Sequence, residues 1–230
     1  MVSATSPHIG TLGEGPLHAA LKAWYAQPDD LLEVAVDGFV VDIVRDGQLI
    51  EVQTRGFASM KRKVASLLGS AHRIRIVHPI AIDRTIVKLG DDGEVVDRRL
   101  SPKHGAVVDV CAELVSFPEL MDHPGLEIEV VLTREEEFRR HEEGKAWRRK
   151  GWVVVERHLV EVVERELFRG PYDLAGLLPT DLPESFTTAD IADGLGCSKR
   201  TAQQLAYCLR RTGGIEVLGK RAHSVEYRVA

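Results

Sequence analysis

Two carboxylates on neighbouring predicted strands are the side chains of this 230-residue chain that are best placed to do chemistry. Asp42 lies in the apolar run 39–44 and Glu51 lies in the run 49–53, with Asp46-Gly47 between the two runs. An Asp-Gly pair between apolar runs predicts a two-residue β-hairpin turn. Cross-strand pairing around that turn places Asp42 directly opposite Glu51.

Opposed carboxylates need compensation, because like charges directly opposite each other destabilise a sheet. One carboxyl group must have a raised pKa, or a cation must lie between the two. Carboxylate and carbonyl oxygens are the ligands that Mg²⁺ or Mn²⁺ prefers, and such an ion polarises a phosphate and activates a water molecule. The alternative is a solvated outer face, but the apolar residues Val40, Val44 and Leu49 are predicted to share that face and favour a site.

The same counting around Asp37-Gly38 places Glu33 opposite Asp42 and predicts an antiparallel meander of three strands. Glu33 is therefore a third candidate carboxylate, and the alternative is an exposed residue at the start of a strand. The sequence predicts a mixed domain over residues 1–170, a linker rich in Pro and Gly over 171–185, and a small domain over 186–230. The elements predicted after the meander are a helix at 57–68, strands at 73–77, 81–89 and 95–99, a helix at 107–115, a strand at 126–132, a charged helix end and loop at 134–150, and a helix at 154–168.

This order of elements resembles the PD-(D/E)XK nuclease superfamily. The matching residues are Glu14 ahead of the first helix, Asp42 on the hairpin and Glu51-Val52-Gln53 on the next strand, followed by a helix. Residues 10–77 look most like archaeal Holliday-junction resolvases and Mrr-like nucleases. The resemblance implies an α/β, restriction-endonuclease-like mixed sheet flanked by helices. It also implies that Asp42 and Glu51 hold Mg²⁺ or Mn²⁺, with Glu14 as an outer or second-metal ligand.

Gln53 departs from the family pattern, since it stands where the superfamily usually carries Lys. We expect Gln53 to orient the attacking water through its amide dipole rather than through a charge. Related enzymes sometimes move the Lys to the following helix, so Lys61 or Lys63 could reach back to the carboxylates. The alternative for both lysines is a solvated position on the helix.

The segment 186–230 is similar to the winged-helix family: a helix, a turn at Gly196, a second helix and a two-stranded hairpin. Residues 154–168 are a candidate for the first helix of such a domain. In winged helices the second helix enters the major groove of DNA, and the hairpin contacts the backbone. The candidate DNA-binding residues are Ser198, Lys199, Arg200, Gln203, Lys220 and Arg221. The alternative is a winged helix that makes protein contacts.

Composition narrows the function classes. A net charge of −5 argues against a broadly basic nucleic-acid coat. The short apolar runs predict no membrane span, and the first ten residues lack the pattern of a signal peptide. Three widely spaced cysteines predict the reduced thiols of a cytoplasmic protein. We therefore predict a metal-dependent deoxyribonuclease that binds DNA, and a homodimer is compatible because cutting two strands often uses two sites. The alternatives are a non-catalytic DNA-binding protein on a decayed nuclease fold and a protein-interaction module.

Overall fold

A seven-stranded mixed sheet organises residues 15–230, the part of the chain that the computed structural model describes. Its strand order is β1-β2-β3-β4-β6-β7, and β5 pairs with β4 as a branch. The strands are β1 (Leu31–Val36), β2 (Phe39–Arg45), β3 (Gln48–Val52), β4 (Arg73–Leu89), β5 (Val95–Leu100), β6 (Leu126–His141) and β7 (Trp152–Phe168). Helices α1 (Pro16–Tyr25), α2 (Lys61–Gly69), α3 (Cys111–Leu114) and α4 (Pro171–Ala175) accompany it. The predicted α/β class with a mixed sheet flanked by helices is confirmed.

The meander β1-β2-β3 has the predicted turns, and its pairing follows the predicted count as far as Ile43 and Ile50. The predicted pairs Asp42–Glu51 and Glu33–Asp42 are not formed, because β2 and β3 separate beyond Ile43 and Glu33 has a left-handed φ of 53°. The φ angles are 48° and 75° at Asp46 and Gly47, and 47° and 82° at Asp37 and Gly38. Both turns therefore have two consecutive left-handed residues, the geometry that suits two-residue hairpins. Ile43 pairs with Ile50, as the count across Asp46-Gly47 requires. After the meander, β3 and β4 run parallel and are joined through α2.

Two apolar layers sandwich the sheet. On one face α1 buries Leu17 and Leu21 against Ile43, Ile50 and Val131. On the other face α2 and α3 cover a larger cluster that also contains Val41. Two-residue alternation along the run 39–44 predicts that Val41 and Ile43 share one apolar face. The structure places them in different clusters, so this prediction is wrong. The two-residue alternation of β2 is broken at Asp42.

Strands β4 and β6 are longer than predicted. The predicted strands 73–77 and 81–89 form one strand that runs through Pro79. A proline is tolerated there because β3 pairs with β4 only as far as Val77, so Pro79 needs no amide on that side. The charged stretch predicted as a helix end and loop continues β6 to His141.

The helix predicted at 154–168 is a strand, β7, which pairs with β6 along its length. Its valines at 153–155, 160, 162 and 163 are β-branched and favour a strand over a helix. This segment therefore cannot supply the first helix of a winged-helix domain.

The C-terminal segment contains α5 (Thr188–Leu195), α6 (Lys199–Arg211) and the hairpin β8 (Ile215–Arg221) with β9 (Ser224–Val229). Thr187 caps α5, Ser198 caps α6, and Gly196 makes the turn between them with φ of 58°. The buried face of α6 joins the same apolar cluster as α2 and α3. Among the described residues, no helix is long and apolar enough to cross a membrane.

Candidate functional site

Asp42 lies where strands β2 and β3 separate. The backbone pairing of these strands ends at Ile43 and Ile50. Beyond that point the Asp42 carboxylate takes the place of a β2 carbonyl as the acceptor for the Val52 N–H. The Val52 N–H donates to Asp42 Oδ2 over 2.8 Å. His18 of α1 places Nε2 3.4 Å from the same oxygen. The carboxylate is thus fixed by β3 on one side and by α1 on the other.

Glu51 lies on the next strand and is covered by α2. Its Oε1 is 2.5 Å from Lys63 Nζ, which also donates to Val40 O over 2.6 Å. Lys63 therefore bridges the gap between the separated strands, from the backbone of β2 to the side chain on β3. We call the group formed by His18, Asp42, Glu51 and Lys63 the carboxylate site.

The two carboxyl groups have opposite pKa shifts. Burial raises the pKa of Glu51 from 4.5 to about 7, and the Lys63 ammonium offsets only part of that effect. Burial also acts to raise the pKa of Asp42, but the contacts from His18 and the Val52 N–H outweigh it, so the pKa lies below its usual value. Near neutral pH the Asp42 carboxyl group is therefore ionised and the Glu51 carboxyl group is partly protonated. Sites that perform acid-base chemistry show the same difference between two carboxyl groups.

The other candidates near this site have separate roles. Gln53 Nε2 donates to Gly56 O over 3.0 Å and lies 3.2 Å from Ser59 Oγ, so its amide holds the loop that leads into α2. The side chain of Glu33 turns away to pair with Lys22 of α1. Lys61 donates to Ser116 O rather than to a carboxylate. Of the two lysines considered, Lys63 is the one that reaches back.

Asp42 and Glu51 supply carboxylate oxygens, the ligand type that a hard cation prefers, and they are held from opposite faces of the sheet by His18 of α1 and Lys63 of α2. Within residues 15–230, no group of three or more His, Cys, Asp or Glu side chains could hold a metal ion. Glu14, the predicted outer or second-metal ligand, lies outside the described residues. Two of the three predicted acidic ligands therefore lie in adjacent strands of the sheet.

A cleft of about 780 Å³ lies between β4 and the start of α6. At one end lies His78, whose Nδ1 contacts Gln53 O at 2.6 Å. At the other end lie Ser198 and Arg200, at the start of α6. The lining of the cleft thus includes two of the residues predicted to contact DNA and none of the four residues of the carboxylate site.

The predicted DNA-binding residues do not share one environment. Lys199 and Gln203 line a separate groove of about 350 Å³ on the outer side of α6. Arg221 is committed to ion pairs with Asp190 and Glu226 within the C-terminal segment. Lys199, Arg200 and Lys220, by contrast, form no ion pair within the part of the chain that the structure describes.

His18 is the residue of the carboxylate site that sequence analysis missed. It is one helical turn below Lys22 on α1, and nothing in the sequence connects either residue to the hairpin. The contact of His18 with Asp42 follows from the packing of α1, which buries Leu17 and Leu21 against the strand that carries Asp42.

Replacing Glu51 tests its raised pKa. With a folded pKa of about 7 and an unfolded value near 4.5, the carboxyl binds its proton more tightly when folded. The free energy of unfolding of the wild type therefore falls as pH rises through this window. We expect Glu51→Gln to gain about 3 kcal/mol of stability relative to wild type between about pH 4 and pH 8, measured by denaturant unfolding. The Glu33→Gln control should show no such change, and a constant difference for Glu51→Gln would contradict the assignment.

Comparisons with known proteins place the chain in a family without assigning an activity. It is 33% identical over 222 residues to a Treponema pallidum (strain Nichols) protein named "Uncharacterized protein", covering 96% of this chain and 87% of that protein. No solved structure matches it. Residues 15–169, which contain the whole carboxylate site, match the family described as "Domain of unknown function (DUF8091)". The chain therefore belongs to the DUF8091 family.

Proposed function

We propose that this protein is a metal-dependent nuclease that hydrolyses phosphodiester bonds in DNA at the carboxylate site. The observation that carries the proposal is the placement of Asp42 and Glu51 on adjacent strands where β2 and β3 separate, with Lys63 paired to Glu51. Two carboxylates and a cation from three successive elements are what the resemblance to the PD-(D/E)XK superfamily implies. The order helix, three-stranded meander, helix and parallel strand also agrees with it.

Each residue of the site has a role in this proposal. Asp42 and Glu51 would hold Mg²⁺ or Mn²⁺, which when bound polarises the phosphate and activates a water molecule. Lys63 supplies the positive charge expected of the missing strand lysine and stabilises charge that develops on the phosphate. His18 positions the Asp42 carboxylate. Gln53 positions the loop before α2, so Lys63 takes the charged role that the family pattern gives to position 53.

The C-terminal segment holds the DNA in this proposal, as a winged helix does. A capped helix, a left-handed turn at Gly196, a second capped helix and a hairpin support a winged helix-turn-helix. Its first helix would be α4 rather than residues 154–168. Lys199 and Arg200, which pair with no carboxylate among residues 15–230, are available for phosphates at the start of α6. A homodimer that cuts both strands remains a prediction.

Cleavage assays test the activity. Plasmid, linear and four-way-junction DNA are incubated with the full chain and Mg²⁺ or Mn²⁺. We expect cutting that Asp42→Asn abolishes, and that Lys63→Met slows by about 100-fold or more because a charge near the phosphate is lost. The matched control is Glu33→Gln, which removes a carboxylate on β1 that is paired with Lys22 and should cut like the wild type. Wild-type protein that cuts no substrate with either metal would overturn the proposal.

A second candidate is a non-catalytic DNA-binding protein on a nuclease-derived fold. The specific observation that favours it is that both carboxylates already have compensating partners, Lys63 for Glu51 and His18 with the Val52 N–H for Asp42. Position 53 also lacks the usual Lys. This candidate predicts duplex binding without cutting, whereas the first predicts both.

Charge substitutions test DNA binding for both candidates. We expect Lys199→Gln and Arg200→Gln each to weaken duplex binding and to lower the salt-dependence slope by about one, as the loss of one phosphate contact does. Arg221→Gln removes the same charge from an intramolecular ion pair and should bind DNA like the wild type. Binding measured by fluorescence anisotropy at several salt concentrations decides this. Equal slopes for all four proteins would leave the C-terminal segment as a protein-interaction module.

A further inference from the structure

The hairpin between β6 and β7 ends in a basic segment that carries an exposed tryptophan. Residues 142–150 contain four cations and two carboxylates, within a chain whose net charge is −5. Trp147 in this tip is 80% exposed, the largest exposed fraction among the three tryptophans. We call residues 145–150 the hairpin tip.

The backbone of the hairpin tip has a defined conformation. Trp147–Arg149 form a short 3₁₀ turn between Ala146 and Lys150, whose φ values of 47° and 50° are left-handed. Such conformations are uncommon for residues other than glycine and cluster at functional segments. Arg149 N–H donates to Ala146 O over 2.7 Å, and Lys150 N–H donates to Trp147 O over 3.1 Å. The base is closed by Trp152, which packs edge-on against His141 with centroids 5.5 Å apart.

Three of the four cations of the hairpin tip form no ion pair within residues 15–230. Lys145 pairs with Glu142, and Glu143 is exposed. Arg148, Arg149 and Lys150 form no ion pair with any residue from 15 to 230. Arg148 Cζ lies 5.2 Å from the centre of the Trp147 ring, so the guanidinium and the indole form one platform. A groove of about 540 Å³ lies beside it, floored by Val153 and Val154.

We propose that the hairpin tip binds single-stranded nucleic acid, with a base stacked on Trp147 and the flanking phosphates at Arg148, Arg149 and Lys150. An exposed aromatic ring within a group of unpaired cations is the arrangement that holds unpaired strands, since every base has a face to stack and every linkage has a negative charge. An interfacial membrane site would need several neighbouring apolar side chains, and this tip presents a single exposed aromatic. A protein contact centred on Trp147 would be surrounded by neutral residues that exclude water, whereas this ring is surrounded by charge.

This second site is remote from the carboxylate site. Strand β4 runs eleven residues from His78, beside Gln53, to Leu89, which pairs with Arg140 near the tip. At about 3.3 Å per residue, the two sites lie roughly 35 Å apart along the strand. The proposal therefore holds whether or not Asp42 and Glu51 bind a metal ion.

Oligothymidylate binding to the full chain tests the proposal. A labelled strand of about ten nucleotides, within the usual size of such sites, is titrated by fluorescence anisotropy. Trp147→Ala should weaken binding about tenfold, as the loss of one stacked base does, whereas Trp147→Phe should retain most of the affinity. The matched control Trp24→Ala removes a part-exposed tryptophan of α1 and should bind like the wild type.

Charge and lipid controls complete the test. The double substitution of Arg148→Gln with Arg149→Gln should lower the slope of log affinity against log salt by about 1.4, since single strands give about 0.7 per phosphate. Trp147→Ala that binds oligothymidylate like the wild type would overturn the proposal. Binding of the tip to phosphatidylserine vesicles without binding to oligothymidylate would overturn it in favour of a membrane. Far-UV circular dichroism verifies that each variant is folded.

Discussion

A buried carboxyl group at the point where two strands separate is the constraint on which the rest of the site depends. Glu51 lies on a strand whose five residues are all buried, so its charge loses water and must find another partner. The partner is Lys63, which reaches across the gap to the backbone of β2 as well. Removing either charge alone leaves the other buried without compensation, so this pair and the position of α2 are coupled.

Where the two strands separate, helices on both faces of the sheet hold the carboxylates. Asp42 fills the hydrogen-bonding position that β2 vacates at Val52, and α1 then brings His18 against its free side. The first helix thus positions one carboxylate and the second helix positions the other, while the parallel strand β4 supports β3 between them.

Local sequence rules predicted the meander and its turns, but they did not predict the long-range contacts. Asp46-Gly47 has only a few compatible backbone geometries, so counting across the turn placed Asp42 and Glu51 on adjacent strands. The apolar spacing of β7 fits both a helix and a strand, and the signal that favoured the strand lay in its β-branched valines. The contact of His18 with Asp42 depends on how α1 packs, which no spacing in the sequence expresses. The winged-helix interpretation of the C-terminal segment stays a prediction, and so do the metal and the nuclease activity.

Calorimetric titration of Mn²⁺ into the full chain at about pH 6 tests the central claim most directly. If Asp42 and Glu51 form a metal site, about one ion binds per chain, and Asp42→Asn abolishes the binding. Because the Glu51 carboxyl has a pKa of about 7, binding must also release its proton, so the measured enthalpy changes with the ionisation enthalpy of the buffer. Absence of Mn²⁺ binding, or equal binding by Asp42→Asn, would contradict the account and leave the carboxylate site as a structural ion-pair network.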